Sequence, residues 1–268
     1  MSEDAFVVTE NDEALAGLVN LIVVLADNKY FLGRHLSEWA VGAPMLEASI
    51  GCCAVAQAQM GHARVLYPLL EHLPSPVPPG PPGQETSRTR RYSVAALDEP
   101  FPTWPHAVAA LFLIDNALNT LVRALTSSRY DQLAARSRRM LDEEEFHRDL
   151  AVGRVYELSR FDKGPAALQE RVDAVLPEML CWFGPVGEAG VEALRGEGLL
   201  SDSSEAMRQG YLDRVAPTLL DLAVKVPLRR EGGDREGGHR EGGKWEYDEL
   251  PWDRWNPLQR RLRSGTQT

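Results

Sequence analysis

Gln59-Met60-Gly61-His62 and Glu143-Glu144-Glu145-Phe146-His147 decide how this chain reads. Each contains a residue-x-x-His spacing, which puts both side chains on one face of a helix. An acid stands before each inside an apolar stretch: Asp27 lies 32 residues ahead of Gln59, and Asp115 lies 29 ahead of Glu144. One acid from each of two helices, with Glu-x-x-His from each of two more, is the donor arithmetic by which a four-helix bundle holds two metal ions. Gln59 departs from it. An amide oxygen is a neutral, weaker ligand than a carboxylate, so a site built with Gln59 holds one metal more loosely or holds only one.

Working outward, the neighbours at i±3 and i±4 place these groups on inward faces. Asp27 sits among Val23, Val24, Tyr30 and Phe31, and Asp115 among Leu111, Phe112, Leu118 and Asn119. His62 faces Ala58, Gln59, Val65 and Leu66; His147 faces Glu143, Glu144, Leu150 and Ala151. An isolated carboxylate in such a place is costly to ionise, and a divalent cation is the simplest common partner for the set. The plainer alternative stays open for each: a buried Asp is commonly held by protein hydrogen bonds, and Glu143 to Glu145 also fit a solvated face.

Helical periodicity runs through the rest of the chain, with no alternation of the kind a strand needs. The pattern predicts a first helix from Asn11 or Asp12 to the Gly42-Ala43-Pro44 stop and a second from about Met45 to Leu73, with Pro68 disturbing its last turns. The Pro- and Gly-rich segment from Pro74, together with the polar stretch to Arg91, forms a crossover. A third helix is expected from Thr103 or Trp104 to Leu125, and a fourth from a Ser127 or Ser128 cap to Arg160. Further helices follow at about 164–183, 185–194 and 201–226. The predicted fold is all-α: a ferritin-like four-helix bundle with additional C-terminal helices and a docked tail. The corresponding division is a helical domain over 1–227, a flexible Gly-rich linker over 228–244 carrying the Arg-Glu-Gly-Gly repeat, and an aromatic tail over 245–268. Trp245, Tyr247, Leu250, Trp252 and Trp255 predict that this tail docks on its own bundle or on a partner subunit.

Composition narrows the function. Lys plus Arg total 29 against 39 Asp plus Glu, a formal charge of −10, which leaves no basic excess for nucleic acid. The run Leu18 to Ala26 is interrupted by Asn20 and stops at Asp27, short of a membrane span of roughly 20 residues, and no secretory signal is expected. Cys52, Cys53 and Cys181 read as free thiols of a cytoplasmic protein.

The chain also resembles a known family. Leu25-Ala26-Asp27-Asn28-Lys29-Tyr30-Phe31-Leu32-Gly33-Arg34-His35-Leu36-Ser37-Glu38-Trp39, with Gly42-Ala43-Pro44, is similar to the first helix in subunits of bacterial ring-1,2-phenylacetyl-CoA epoxidase. The part from Leu32 to Pro44 is nearer the structural, non-catalytic subunit. Met60-Gly61-His62-Ala63-Arg64, the Glu143 to His147 run and the tail Tyr247 to Asp253 are nearer the catalytic subunit. The resemblance implies a ferritin-like diiron monooxygenase that activates dioxygen on an aromatic or acyl-CoA substrate in phenylacetate catabolism, with electrons from a separate reductase.

Carried over, it places iron at Asp27, His62, Asp115, Glu144 and His147, with Gln59 the departure at the sixth ligand position and Asp27, Asp115 and Glu144 the catalytic carboxylates; Glu143, one turn before His147 on the same face, is the candidate to fix that ring. The chain is then a homo- or hetero-oligomer with a paralogous ferritin-like subunit. Three readings stand: a di-metal oxygenase, a silent structural subunit supporting a catalytic paralogue, and a helical binding protein whose inward polar groups pair without metal.

Overall fold

The structure, a computed structural model, describes residues 8–83, 88–230 and 243–263. Helix α1 runs Asp12–Gly42, capped by Asn11, whose side chain accepts hydrogen bonds from the Glu13 and Ala14 amides. From Leu21 to Lys29 every residue is buried, so α1 is the central rod of the bundle, packed on all sides. Helix α2, Leu46–Leu66, lies along it, and Pro68 turns the continuation into a 3-10 helix over Tyr67–His72. The two helices approach closely at Gly33, where a Cβ would stand 2.9 Å from the Ala56 carbonyl oxygen and 3.0 Å from the Gln59 Cβ. Only a glycine lets Gln59 come so near α1.

Helix α3 spans Trp104–Leu125 and begins with Pro105 in its first turn. It contains a π-helical turn over Ala110–Ile114, which ends at Asp115. An extra residue in a turn rotates everything after it, and this one sets the direction in which Asp115 points. The expected fourth helix is two, α4 (Asp131–Leu141) and α5 (Glu144–Leu158), broken at Asp142 and Glu143. Then come α6 (Gly164–Trp182), α7 (Ala189–Gly196) and α8 (Ser204–Asp221). The bundle is all-α and ferritin-like, and among the described residues the strands are four short pieces at the C-terminal end.

Leu228–Arg230 forms strand β1, paired antiparallel with β2, Trp245–Tyr247. The first residues of the expected linker are therefore strand, because Arg230 opposite Trp245 completes a ladder. Residues 231–242, most of the Gly-rich repeat, lie outside the described residues. The tail packs on its own bundle: the Trp245 amide and carbonyl pair with the Gln209 side chain, the Trp245 indole donates to Asp213, and the Tyr247 hydroxyl donates to Glu205. A second ribbon, β3 (Trp255–Asn256) with β4 (Arg261–Leu262), follows, and the Leu262 amide donates to Glu178 of α6. Trp245→Ala is expected to cost about 3 kcal/mol, read as a lowered urea midpoint. No loss would mean that the tail adds nothing to the bundle.

Candidate functional site

Lys29 occupies the centre of the bundle, with no exposed surface. Its ammonium donates to the Gln59 Oε1 at 3.0 Å and the Asn119 Oδ1 at 3.3 Å, and stands 3.9 Å from the Asp115 Oδ1. An ammonium has three donors and no acceptor, and it meets two hydrogen-bond acceptors, one from α2 and one from α3, with the Asp115 carboxylate of α3 as its counter-charge. The Gln59 amide nitrogen donates to the Asp115 Oδ1 at 2.6 Å, and the His147 Nδ1 lies 3.5 Å from the Asp115 Oδ2. Gln59 thus bridges the cation and the anion with opposite ends of one amide. A carboxylate at 59 would supply two acceptors and would repel Asp115.

The surroundings favour the charge on Asp115 and oppose the charge on Lys29. Burial raises the Asp115 pKa, but the His147 hydrogen bond and the nearby Lys29 charge outweigh it and hold the carboxyl below its usual range. Burial pulls the Lys29 amine below its ordinary value, opposed by the carboxylates of Asp115, Glu144 and Glu143. Taking two charges out of water costs several kcal/mol per ion, and this geometry offsets it with a full set of partners.

The other expected ligands are engaged elsewhere. Asp27 is fully buried, but its two oxygens accept from the Arg88 guanidinium, each at 2.7 Å, from the Tyr67 hydroxyl at 2.8 Å and from the Tyr92 amide at 2.8 Å. Arg88 in turn donates to the Gly80 carbonyl, and Asn28 accepts from the Val94 amide. Asp27 thus fastens the crossover to α1. Two residues from Lys29, it faces the other side of α1, within the stretch that has no solvent face.

Glu144 is held between Arg123 of α3 and Arg214 of α8, one guanidinium on each carboxylate oxygen. The His62 Nε2 lies 3.2 Å from the Glu143 Oε2, so Glu143 serves His62 rather than the His147 ring it was expected to fix. Burial, with the Lys29 charge, pushes His62 down to about 3 and keeps its ring neutral.

Of the six sequence-derived positions, Gln59, Asp115 and His147 converge; His62 and Glu144, on the same helices as Gln59 and His147, have partners of their own, although the His62 and His147 ring centres are 6.4 Å apart; and Asp27 belongs to a separate lock. As they stand, these residues do not fit a pair of irons. The cation of the cluster is Lys29, and the remaining carboxylates are neutralised by arginines. Among the described residues no three His, Cys, Asp or Glu side chains gather as a metal ion requires. Lys29, Asn119, Arg88, Arg123 and Arg214 escaped the sequence reading, although Lys29, with Leu25, Ala26, Leu32 and Gly33 at i±3 and i±4, was itself a signal, since a buried lysine needs an anion.

A family model described as phenylacetic acid catabolic protein matches residues 6–264. Among curated proteins, none matches the chain.

Proposed function

Because the chain belongs to the phenylacetic acid catabolic protein family, we propose that it is a supporting subunit, a ferritin-like bundle that needs no metal and holds a catalytic paralogue in a multicomponent oxygenase. The observation that carries this reading is the Lys29 ammonium, hydrogen-bonded to Gln59 and Asn119 and 3.9 Å from the Asp115 carboxylate. A protein-borne cation does for these donors what a metal does elsewhere in such bundles: it balances their charge and fixes their side chains. The electrons from a reductase and the acyl-CoA substrate then belong to the paralogue. The exposed Val41, Leu46 and Ile50 around the α1–α2 turn support that reading, as apolar side chains that a partner would cover.

A second reading, the diiron oxygenase, is favoured by one observation: a cavity reaches both His62 and His147. Elemental analysis of protein produced in iron-rich medium separates the two. The supporting subunit is expected to carry well under one iron per chain and to co-purify with its paralogue. About two irons per chain, lost on His147→Ala, would overturn it.

A further inference from the structure

Helix α2 has an outer face that nothing in its own chain covers. Leu46, Ile50, Ala54, Gln57, Gly61 and Val65 follow one another at intervals of four, four, three, four and four residues, which sets them on one side of the helix, and none of them is buried. The large groups stand at the N-terminal end, where Leu46 is 70% and Ile50 61% exposed. The C-terminal half instead borders an open groove of about 970 Å3 against α4 and α5, whose apolar wall includes Ala58, Met140 and Phe146. Gly61 keeps that groove open, since a Cβ there would meet nothing within 4 Å. A glycine inside a helix costs about 1 kcal/mol against alanine, and no contact among the described residues requires this one.

One helix thus presents apolar knobs at one end and an apolar hole at the other. Such a surface closes on itself when two copies lie antiparallel, because each then fills the other's hole. With the two-fold axis between Ala54 and Gln57, Ile50 of each copy meets Gly61 of the other, and Leu46 meets Val65. Charge selects the same direction. Glu47 and Arg64 are exposed at opposite ends of α2, and among the described residues neither has an ion-pair or hydrogen-bond partner. Antiparallel packing brings each Glu47 to the end that bears the other copy's Arg64, whereas parallel packing sets like charges side by side.

We propose that a second copy of this chain docks on α2, antiparallel about that axis, with its Leu46 and Ile50 in the groove beside Gly61. The inference goes beyond the supporting role and shares only Leu46 and Ile50 with it. The dimer is measured on the chain alone, without iron or paralogue, so either reading can fail while the other stands.

The test is sedimentation velocity of the full purified chain over a concentration series, with a dissociation constant on the order of 10 μM expected. Gly61→Gln fills the hole from a position with open space around it, and is expected to weaken the dimer at least about tenfold while the far-ultraviolet circular dichroism stays unchanged. Glu47→Arg is expected to weaken it about tenfold, since each dimer contains the contact twice, and Glu47→Arg combined with Arg64→Glu is expected to restore it. A chain that stays monomeric at about 100 μM, a dimer untouched by Gly61→Gln, or a charge exchange that restores nothing overturns the proposal.

Discussion

Replacing Asp27 by alanine is expected to cost the fold about 3–5 kcal/mol, read as a drop in the urea midpoint. The substitution removes no apolar contact of consequence. What it does is leave the Arg88 guanidinium buried without its anion, and strip the Tyr67 hydroxyl and the Tyr92 amide of their acceptor. The Arg88 guanidinium lies 5.6 Å from the Tyr92 ring centre and 6.0 Å from that of Tyr67, so the charge sits in an aromatic cage away from water. Arg88→Ala alone strands the carboxylate instead and is expected to be as harmful. The double substitution is expected to cost clearly less than the sum of the two, because neither charge is then orphaned. Additive costs would show that the two side chains are not coupled. If Asp27 instead served a metal, its removal would change iron content and Arg88→Ala would give no relief.

That lock marks where the sequence was legible and where it stopped. The helices were readable because apolar residues recur with a helical period, and the Asn11 start and the Gly42-Ala43-Pro44 stop of α1 are local signals. The inward placement of Asp27, Asp115 and His147 followed from the same periodicity, and all three are buried.

Which inward residues meet one another depended on facts that periodicity does not carry. The first is that α1 is buried on every side from Leu21 to Lys29, so a helix read as having one inner face has several. Asp27 and Lys29, both buried, point to different neighbours. The second is the π turn over Ala110–Ile114, which re-aims Asp115 by one residue and leaves no mark on an apolar run. The third is Arg88, a long-range partner from a crossover whose conformation no local pattern specifies. Glu144 illustrates the same limit: its two arginines come from α3 and α8, 21 and 70 residues away. A Glu-x-x-His spacing fixes which face of a helix the pair shares, but the partner of that face is a tertiary fact.

Gln59 is the residue whose meaning changes most. As a metal ligand it is a defect, while beside Lys29 it is the group that fits, since a neutral amide accepts from the ammonium and donates to Asp115 at the same time. The exchange of an internal cation for a bound one can therefore be run backwards. Lys29→Met alone is expected to cost about 3–5 kcal/mol, because Asp115 stays buried without its counter-charge. Adding Asp115→Asn is expected to recover much of that loss, as removing both members of a buried pair usually does. Combining Lys29→Met with Gln59→Glu does the opposite: it leaves two adjacent buried carboxylates beside the His147 imidazole and no cation among them. Such a set can be relieved only by protonation or by a divalent ion. The double variant is expected to be stabilised by Mn2+ or Fe2+, by about 2.7 kcal/mol at a hundredfold excess over the dissociation constant, while the wild-type protein shows no shift in melting temperature with either ion. Equal stabilisation of the wild type by Fe2+ would mean that Lys29 yields its place to metal, and the supporting role would fall with it.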